Sequence, residues 1–345
     1  MRPEGFLQQV YNQLKRFEIP KIKMKKRNLS NLVYDEETRQ FRIGDKTEIR
    51  DGSHVKQIKP LTQLVWIATV ANKLMSSDKT CTLRDLYYMA KDPELIGFED
   101  QKESNDLITD LETTCEMSRE QFNIYPEERS EIFGRMTVEY TSPQDYVGRR
   151  INLTINPDGI PIGPRMTKVR FIEIHANKVI VVEKGAVFTR LLEEKAYERF
   201  NAILVHTAGQ PPRSTRILVR RLNQELRLPV YIFNDADPWG LGIAMTMTCG
   251  SVKSSHIPGL VTPDAKWSGL YATDISQYNL PSEKLNEKDV KRLLSLRNDP
   301  RTKLDPWKRE IDEFLRNKRK CELETFSRYG LEYFVNNYLP RKLEG

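Results

Sequence analysis

The chain has 345 residues with a formal net charge of +7, and 39% of its residues are hydrophobic while 30% are charged. This length allows two or three domains with cores of their own, and the composition is that of a soluble globular protein. No apolar run is long enough to cross a membrane, and the N-terminus lacks the apolar block of a secretory signal. The four cysteines are far apart and form no C-x-x-C pair, which indicates buried thiols in a reducing compartment, so we expect a cytoplasmic protein.

Residues 1–60 are rich in charge and are predicted to form an N-terminal extension with little core of its own. Within it, five of the last seven residues of segment 15–27 are basic. Such a segment suits contacts with DNA phosphates or with a protein partner, and the sequence does not separate these possibilities. Two further basic clusters, at 216–227 and 314–320, are equally well interpreted as polyanion-binding or as solvated surfaces.

The next region is predicted to contain three helices and a hairpin. A first amphipathic helix begins after Pro60, and a T-x-x-D capping pattern formed by Thr82 and Asp85 opens a second. A third helix follows, and residues 122–140 have the pattern of two strands around a polar turn. Three helices followed by a hairpin is the order of a winged helix-turn-helix, which we assign to residues 61–145.

The second helix carries two adjacent tyrosines in the stretch LRDLYYMAKD, residues 83–92. Tyr87 falls on the same stripe as the apolar residues of this helix and is predicted to pack in the core. Tyr88 lies about 100° further round the helix, on the face that carries Arg84 and Lys91. Neighbouring positive charge helps a phenol to ionise and attack phosphorus, although an isolated exposed tyrosine is otherwise only a solvated residue.

A Gly/Pro-rich linker is predicted at residues 146–170, and the pattern then changes to alternating strands and helices over residues 171–345. Short apolar runs at 178–183, 202–207 and 229–235 are separated by helical segments. Strand, helix and strand joined by short links predict a parallel sheet covered on both faces, with right-handed crossovers.

Two of these strands end in acidic residues. Glu183 closes the first strand, and Asp235 and Asp237 follow the third. Because ligands of open α/β sheets bind at the carboxyl ends of the strands, the three acids are expected to meet at one edge. Three carboxylates without an obvious basic neighbour suit Mg²⁺, whereas the alternative for each acid, and for Asp237 in particular, is a helix N-cap. No GxxxxGK[ST] or GxGxxG motif is present, so nucleotide binding by this chain is not expected.

Several of these stretches together resemble a known family. VVEKGAVF followed by YIFNDADPWG looks like the acidic signature of a Toprim domain, the metal-binding module of topoisomerases, primases and some nucleases. HTAGQPPRSTR between them and LRDLYYMAKD upstream resemble the A subunit of topoisomerase VI, whose family includes the meiotic double-strand-break protein. The resemblance runs from about residue 61 to the end. It implies an α+β winged-helix domain of the catabolite-activator type followed by an α/β Toprim domain with a parallel sheet.

The resemblance also implies roles for individual residues. The family's nucleophile is the second aromatic of an R-D-x-[FY]-Y motif, which corresponds to Tyr88, and Arg84 matches the motif's arginine and would contact the scissile phosphate. Magnesium held by Glu183, Asp235 and Asp237 would assist attack on duplex DNA. The product would be a 5′-phosphotyrosyl double-strand break that is resealed, so that the enzyme is an ATP-dependent type II DNA topoisomerase.

Partners follow from the same resemblance. Two copies of the chain are needed to cut both strands, which implies a homodimer in which the tyrosine of one subunit works with the metal site of the other. ATP-driven strand passage relaxes supercoils and decatenates DNA. Because this chain has no ATP motif, the resemblance implies a separate ATPase, the B subunit of topoisomerase VI, in an A2B2 heterotetramer.

Other interpretations of the same residues stay open. One is a meiotic-type transesterase with the same chemistry and no resealing. Another is a Toprim nuclease that uses water in place of Tyr88. A DNA-binding module without chemistry is disfavoured because Tyr88 and the three acids are all present. Among the four histidines, only His206 is predicted at a strand end beside the expected phosphate path.

Overall fold

The computed structural model describes residues 1–91, 96–127, 129–257 and 259–344, except for the side chain of residue 29. The chain divides into two compact units with separate hydrophobic cores. The described residues of unit 1 are 1–35, 41–91, 96–127 and 252–257, and those of unit 2 are 36–40, 129–251 and 259–344. In these ranges, no helix is both long enough and apolar enough to cross a membrane.

The described residues up to 125 form helices and short strands. The helices are α1 (Pro3–Lys15), α2 (Val55–Ser76), α3 (Leu83–Met89) and α4 (Gln101–Cys115). The strands are β1 (Lys21–Lys25), β2 (Leu32–Asp35), β3 (Gln40–Ile43), β4 (Thr47–Asp51), β5 (Cys81–Thr82) and β6 (Ile124–Tyr125). β1 pairs antiparallel with β4, β2 pairs with β3, and β5 pairs parallel with β6.

The N-terminal segment is part of the core of unit 1, which differs from the extension predicted by the sequence. Phe6 of α1 and Ile22 of β1 are buried in the same cluster as Leu64 of α2. Asp110 of α4 receives ion pairs from two of the N-terminal arginines, Arg27 at 2.7 Å and Arg50 at 2.6 Å. The charged sequence of this region therefore includes residues that attach it to α4, and single apolar residues between the charges supply its buried contacts.

Helix α2 begins at Val55, six residues before the predicted start at Leu61, and contains Pro60. Its first turn is largely exposed, so no apolar periodicity signals it in the sequence. Pro60 is the sixth residue of the helix and cannot donate a backbone hydrogen bond to the turn before it, yet α2 continues through it. The next helix agrees with its prediction, because Thr82 and Asp85 form the capping box at the start of α3.

The predicted hairpin at residues 122–140 is wrong. Of the described residues in this stretch, β7 (Glu131–Phe133) pairs with β10 and β13 of one sheet, while β8 (Met136–Glu139) pairs with β9 and β11 of another. An alternating apolar pattern shows that a strand forms but does not specify its partner. Gly134 between the two strands has φ +152°, and a Cβ there would lie 2.7 Å from the Ile203 side chain.

Unit 2 contains the larger sheet and the remaining helices. Its further strands are β9 (Arg150–Asn152), β10 (Ile160–Pro161), β11 (Arg170–Ile174), β12 (Lys178–Val182), β13 (Ala202–His206), β14 (Val230–Phe233), β15 (Lys266–Gly269), β16 (Glu283–Lys284) and β17 (Arg319–Lys320). Its helices are α5 (Gly185–Glu193), α6 (Ala196–Arg199), α7 (Arg213–Leu226), α8 (Pro238–Thr248), α9 (Ala272–Gln277), α10 (Glu287–Arg297), α11 (Trp307–Asn317) and α12 (Leu339–Leu343).

The six-stranded sheet of unit 2 has the order β10-β7-β13-β12-β14-β15. The four strands from β13 to β15 run parallel, as the sequence predicts, and β7 and β10 extend the sheet in antiparallel fashion. Residues 146–170, predicted to be a linker, lie within unit 2, because Leu153, Ile162 and Val169 are buried in its core. Part of this stretch forms strands of unit 2, with β9 at Arg150–Asn152 and β10 at Ile160–Pro161.

The basic cluster at 216–227 has largely internal roles. Arg216 is buried and donates to the carbonyl of Leu260 at 2.9 Å. Arg221 donates to the carbonyls of Thr167 and Val169 at 3.0 and 2.9 Å. These arginines satisfy backbone carbonyls of neighbouring loops. The cluster is therefore not a purely solvated surface, and not all of its arginines are available to bind a polyanion.

Candidate active site

The two tyrosines of α3 occupy different environments, as predicted. Tyr87 is half-buried and packs on the core of unit 1, where Leu86 is fully buried. Tyr88 is 52% exposed, and its ring centroid lies 5.3 Å from that of Tyr87. The capping box fixes where α3 begins and thereby which residue of the pair faces solvent.

Two cations flank the Tyr88 ring. The guanidinium of Arg84 lies 5.8 Å from the ring centroid, and the Lys91 ammonium lies 5.3 Å from it. The hydrogen bond donated by Arg84, followed by the charges of Arg84 and Lys91, lowers the pKa of the Tyr88 hydroxyl below its ordinary value. The phenolate is the nucleophilic form of tyrosine, so this arrangement prepares Tyr88 for attack on an electrophile.

In unit 2, the register of the sheet places two of the predicted acids side by side. Val182 of β12 is level with His206 of β13 and with Phe233 of β14, so the strands end together. Glu183 follows directly, and its Oε2 accepts a hydrogen bond from the backbone N–H of Asp235 at 3.2 Å. Asp235 is 4% exposed and lies at the carboxyl edge of the sheet, where ligands of this fold class bind.

Asp237 has the capping role that the sequence offered as its alternative. It is the N-cap of α8, and its Oδ1 accepts hydrogen bonds from the backbone N–H groups of Trp239 at 2.8 Å and Gly240 at 2.6 Å. The turn is close to β14, because a Cβ at Gly240 would lie 2.2 Å from the Asp235 carbonyl oxygen. A glycine is required at this approach, since any side chain would collide with that oxygen.

A lysine lies among these acids, which corrects the expectation that they have no basic neighbour. The Nζ of Lys184 is 3.1 Å from Asp235 Oδ2, 3.5 Å from Glu322 Oε2 and 4.0 Å from Glu324 Oε1. Burial alone lowers the pKa of Lys184, but the carboxylates, Asp235 first, outweigh burial and hold the pKa above its ordinary value. The position of Lys184 directly after Glu183 is the sequence signal that could have identified it.

The second pair of acids, Glu322 and Glu324, arrives from far along the sequence. Cys321 forms an isolated antiparallel bridge with Ala236, with N–H to carbonyl distances of 2.8 and 3.0 Å. The backbone N–H of Leu323 donates to Asp235 Oδ1 at 2.9 Å. No local sequence pattern connects this segment to the strand ends, and only the folded chain reveals it.

Glu183, Asp235 and Asp237 form an acidic edge of the sheet, and neighbouring side chains do not fully balance its negative charge. Burial, then repulsion from Asp235 and Asp237, raises the pKa of Glu183 to about 7. Burial raises the pKa of Asp235 to about 6 in spite of Lys184, and burial raises the pKa of Asp237 as well. A bound divalent cation would compensate these charges, and carboxylate oxygens are the donors that Mg²⁺ prefers, so the donor set fits such an ion.

The three predicted ligands are not assembled into one cluster. Across the described ranges, no group of three His, Cys, Asp or Glu side chains has the spacing of metal ligands. Glu183 and Asp235 are in contact, whereas Asp237 is turned toward the start of α8. The fourth residue considered from the sequence, His206, is 8% exposed, stacks on Phe188 and lies 3.2 Å from Glu131 Oε2, as a packed histidine does.

Comparison with known proteins identifies both halves of the chain. The family model for the Toprim domain of Spo11 and of the topoisomerase 6 A subunit matches residues 178–343, which include Glu183, Asp235 and Asp237. The model described as "Type IIB DNA topoisomerase" matches residues 59–124, which include Tyr88. The predicted Toprim domain is therefore confirmed, and such a domain implies divalent-metal binding.

Similar full-length proteins carry the same description. The chain is 43% identical to the A subunit of type 2 DNA topoisomerase 6 from Methanothermobacter thermautotrophicus over 328 residues, 94% of this chain and 91% of the relative. It is 35% identical to the protein of that name from Archaeoglobus fulgidus, covering 98% and 95%, and 33% identical to that from Methanosarcina mazei, covering 98% and 92%. The chain therefore belongs to the family of type IIB DNA topoisomerases formed by Spo11 and the topoisomerase 6 A subunit.

Proposed function

We propose that this chain is the DNA-cleaving and resealing subunit of a type II DNA topoisomerase and that Tyr88 is its nucleophile. The observation that carries the assignment of Tyr88 is its exposed hydroxyl, held by Arg84 and flanked by Lys91, beside a Tyr87 that packs on the core. Family membership supplies the reaction class, and the environment of Tyr88 distinguishes it from its neighbour.

The proposed step is a transesterification at a backbone phosphate of duplex DNA. The Tyr88 oxygen forms a bond to phosphorus as the bond from phosphorus to the 3′ oxygen breaks, which leaves a 5′-phosphotyrosyl link and a free 3′ hydroxyl. The phenol proton leaves before or during attack, and the 3′ oxygen gains a proton on departure. Arg84 stabilises charge on the phosphate oxygens, and attack by the 3′ hydroxyl on the same link reseals the strand.

Glu183, Asp235 and Asp237 are the proposed residues that hold magnesium. Bound magnesium would supply positive charge to the phosphate and to the departing oxygen. Glu183 and Asp235 present adjacent, incompletely neutralised carboxylates. Asp237 fixes the start of α8 through Oδ1, and its second oxygen is the one that we assign to the metal.

The domain organisation is proposed along the lines of the sequence prediction. Helices α2, α3 and α4 share one core and carry Tyr88 on an exposed face, which supports a winged-helix module of the catabolite-activator type. We place this module in residues 55–127, in contrast to the predicted 61–145, because α2 begins at Val55; residues 1–54 form the N-terminal segment. The Toprim domain is placed in residues 171–345, and segment 129–170 belongs to unit 2.

The proposed partners are duplex DNA, a second copy of this chain and the ATPase of topoisomerase VI, its B subunit, in an A2B2 heterotetramer. The relatives are named as an A subunit, which supports the existence of a second, different chain. Cleavage of both strands needs two tyrosines, and a symmetric dimer provides them, with each Tyr88 acting beside the acids of the other copy. Such a complex is expected in the cytoplasm.

A plasmid assay tests this function. The chain is combined with the ATPase of a type IIB topoisomerase, supercoiled plasmid, Mg²⁺ and ATP. We expect relaxed plasmid, and we expect Tyr88→Phe to abolish relaxation while the matched variant Tyr87→Phe retains it. Linear DNA with bound protein and no resealing would favour a meiotic-type transesterase. Protein-free linear DNA that persists in Tyr88→Phe would identify a hydrolytic Toprim nuclease.

A further inference from the structure

Lys184 occupies an unusual position for a residue next to a proposed cation site. It follows Glu183 and directly precedes α5, and its side chain is 30% exposed. Its ammonium lies 3.1 Å from Asp235 Oδ2, on a carboxylate that is itself buried. A fixed positive charge therefore already balances part of the acid that is proposed to bind magnesium.

The other side of the ammonium faces two more acids. Glu322 Oε2 lies 3.5 Å from it and Glu324 Oε1 lies 4.0 Å from it. The bridge between Cys321 and Ala236 and the hydrogen bond from Leu323 to Asp235 hold this segment in place. Glu324 Oε2 is buried and accepts no hydrogen bond from any described residue, so this carboxylate has acceptor capacity to spare.

An ammonium and a divalent cation repel each other strongly at the distance of a shared carboxylate. If magnesium binds Asp235, the 3.1 Å contact with Lys184 becomes unfavourable, and the ammonium must move or weaken binding. Glu322 and Glu324 lie within reach of a side-chain rotation, because the lysine stem is flexible. They provide an alternative partner for the charge closer to the protein surface, where the side chain of Glu322 is 65% exposed and that of Glu324 is 36% exposed.

We infer that Lys184 is a positioning residue. When no cation is bound, its ammonium balances the charge of Asp235, and when the cation binds, the side chain rotates and the ammonium pairs with Glu322 and Glu324. This inference rests on the proposed function, because it takes Asp235 as a cation ligand. Lys184 thereby keeps the acidic edge folded without metal, and it lowers the affinity for the cation. Glu322 and Glu324 reduce that loss of affinity.

Manganese binding in the absence of DNA tests the inference directly. Mn²⁺ affinity is measured by electron paramagnetic resonance at pH 8 for the full chain, for K184Q and for K184R. We expect K184Q to bind Mn²⁺ about tenfold more tightly than the wild type, since one opposing charge is removed. K184R retains the charge and should have close to wild-type affinity. Unchanged or weaker binding by K184Q would overturn the inference.

The role of Glu322 and Glu324 is tested by a double-mutant cycle. In the wild-type background, the combined E322Q and E324Q substitutions should weaken Mn²⁺ binding about tenfold, because Lys184 is left on Asp235. In the K184Q background the same substitutions should change affinity by less than about threefold. An equal effect in both backgrounds would show that these acids act on the cation directly and would contradict the transfer.

One more variant separates this inference from the proposed function. D235N should lose Mn²⁺ binding if Asp235 is a ligand. If D235N binds as the wild type does, the proposed metal site is wrong and the inference falls with it. If D235N loses binding while K184Q leaves it unchanged, the metal site stands and only the role of Lys184 is refuted. Thermal unfolding curves of each variant verify that it is folded.

Discussion

Arg84 donates a hydrogen bond to the hydroxyl of Tyr88 from one turn earlier in helix α3, with its guanidinium 5.8 Å from the Tyr88 ring centroid. The two side chains share the exposed face of a helix whose start is fixed by the Thr82 and Asp85 capping box. A cation held against a phenol stabilises the phenolate, which is the form that we propose attacks phosphorus.

Arg84→Gln is expected to move DNA cleavage to higher pH. Arg84 lowers the pKa of Tyr88, so its removal raises that pKa and leaves less phenolate at neutral pH. Loss of the proposed contact between Arg84 and the phosphate adds to the effect, and we expect covalent complex formation at pH 7 to slow about 100-fold. Single-turnover cleavage rates measured across pH test this, together with the phenolate ultraviolet absorbance of Tyr88.

Lys91→Gln is the matched variant for Arg84→Gln. Lys91 acts on Tyr88 through charge alone, from 5.3 Å, and its effect on the pKa is smaller than that of Arg84. We expect a shift in the same direction and of lower magnitude. Identical pH profiles for wild type and Arg84→Gln would contradict the proposed role of Arg84 in ionising Tyr88.

Substitutions at Asp237 separate its capping role from its proposed metal role. Asp237→Asn can still accept the hydrogen bonds from Trp239 and Gly240, so its stability should stay near wild type while Mn²⁺ binding weakens. Asp237→Ala should lose both properties, at a cost of about 1 kcal/mol in the free energy of unfolding. Chemical denaturation and Mn²⁺ titration measure the two effects. Undiminished Mn²⁺ binding by Asp237→Asn would show that Asp237 caps the helix and does not bind the metal.

Glu183→Gln is expected to stabilise the metal-free chain at pH 8. The pKa of Glu183 is raised from 4.5 to about 7, so between these pH values the folded chain binds a proton that the unfolded chain has released. Stability therefore falls as pH rises through this window, and the full penalty is present above about pH 7. Glutamine removes the charge and keeps an acceptor for the Asp235 N–H.

The expected result at pH 8 with a chelator is a Tm about 2–4 °C above wild type, and the difference should shrink toward pH 4.5. Glu173→Gln, at an exposed glutamate of β11, serves as the control. Added Mn²⁺ should raise the Tm of the wild type more than that of Glu183→Gln. A lower Tm for Glu183→Gln at pH 8 would show that its carboxylate is stabilising in the metal-free chain.

Alanine substitutions at two glycines of α8 are expected to differ in their effect on stability. A Cβ at Gly240 would lie 2.2 Å from the Asp235 carbonyl oxygen, a backbone atom that cannot move aside. Gly240→Ala should therefore destabilise the chain by about 1–3 kcal/mol and displace the acidic turn. A Cβ at Gly242 would meet only the end of the flexible Arg292 side chain at 3.4 Å, so Gly242→Ala should be tolerated. Equal stabilities in denaturant would contradict this geometry.

Several features of the site follow from local sequence patterns. The exposure of Tyr88 and the partial burial of Tyr87 follow from helical periodicity and the cap at Thr82, and the structure agrees with this difference in burial. The meeting of Glu183 and Asp235 depends on the rule that neighbouring parallel strands end at one edge, which the register of β12 and β14 satisfies.

Other features depend on contacts that a local pattern does not contain. The strands β7 and β8 are adjacent in sequence and belong to different sheets, because strand pairing is decided by partners far along the chain. Glu322 and Glu324 reach Lys184 only through the bridge of Cys321 to Ala236. The start of α2 at Val55 could not be predicted from the sequence, because the first turn of this helix is exposed and has no apolar periodicity.

Covalent trapping on duplex DNA tests the central claim most directly. The chain and the ATPase of a type IIB topoisomerase are incubated with end-labelled duplex and Mg²⁺. The products are denatured, digested and mapped by peptide mass spectrometry. We expect a nucleotide adduct on Tyr88, absent in Tyr88→Phe and present in Tyr87→Phe. An adduct on Tyr87, or cleaved DNA without any adduct, would contradict the assignment of Tyr88 as the nucleophile.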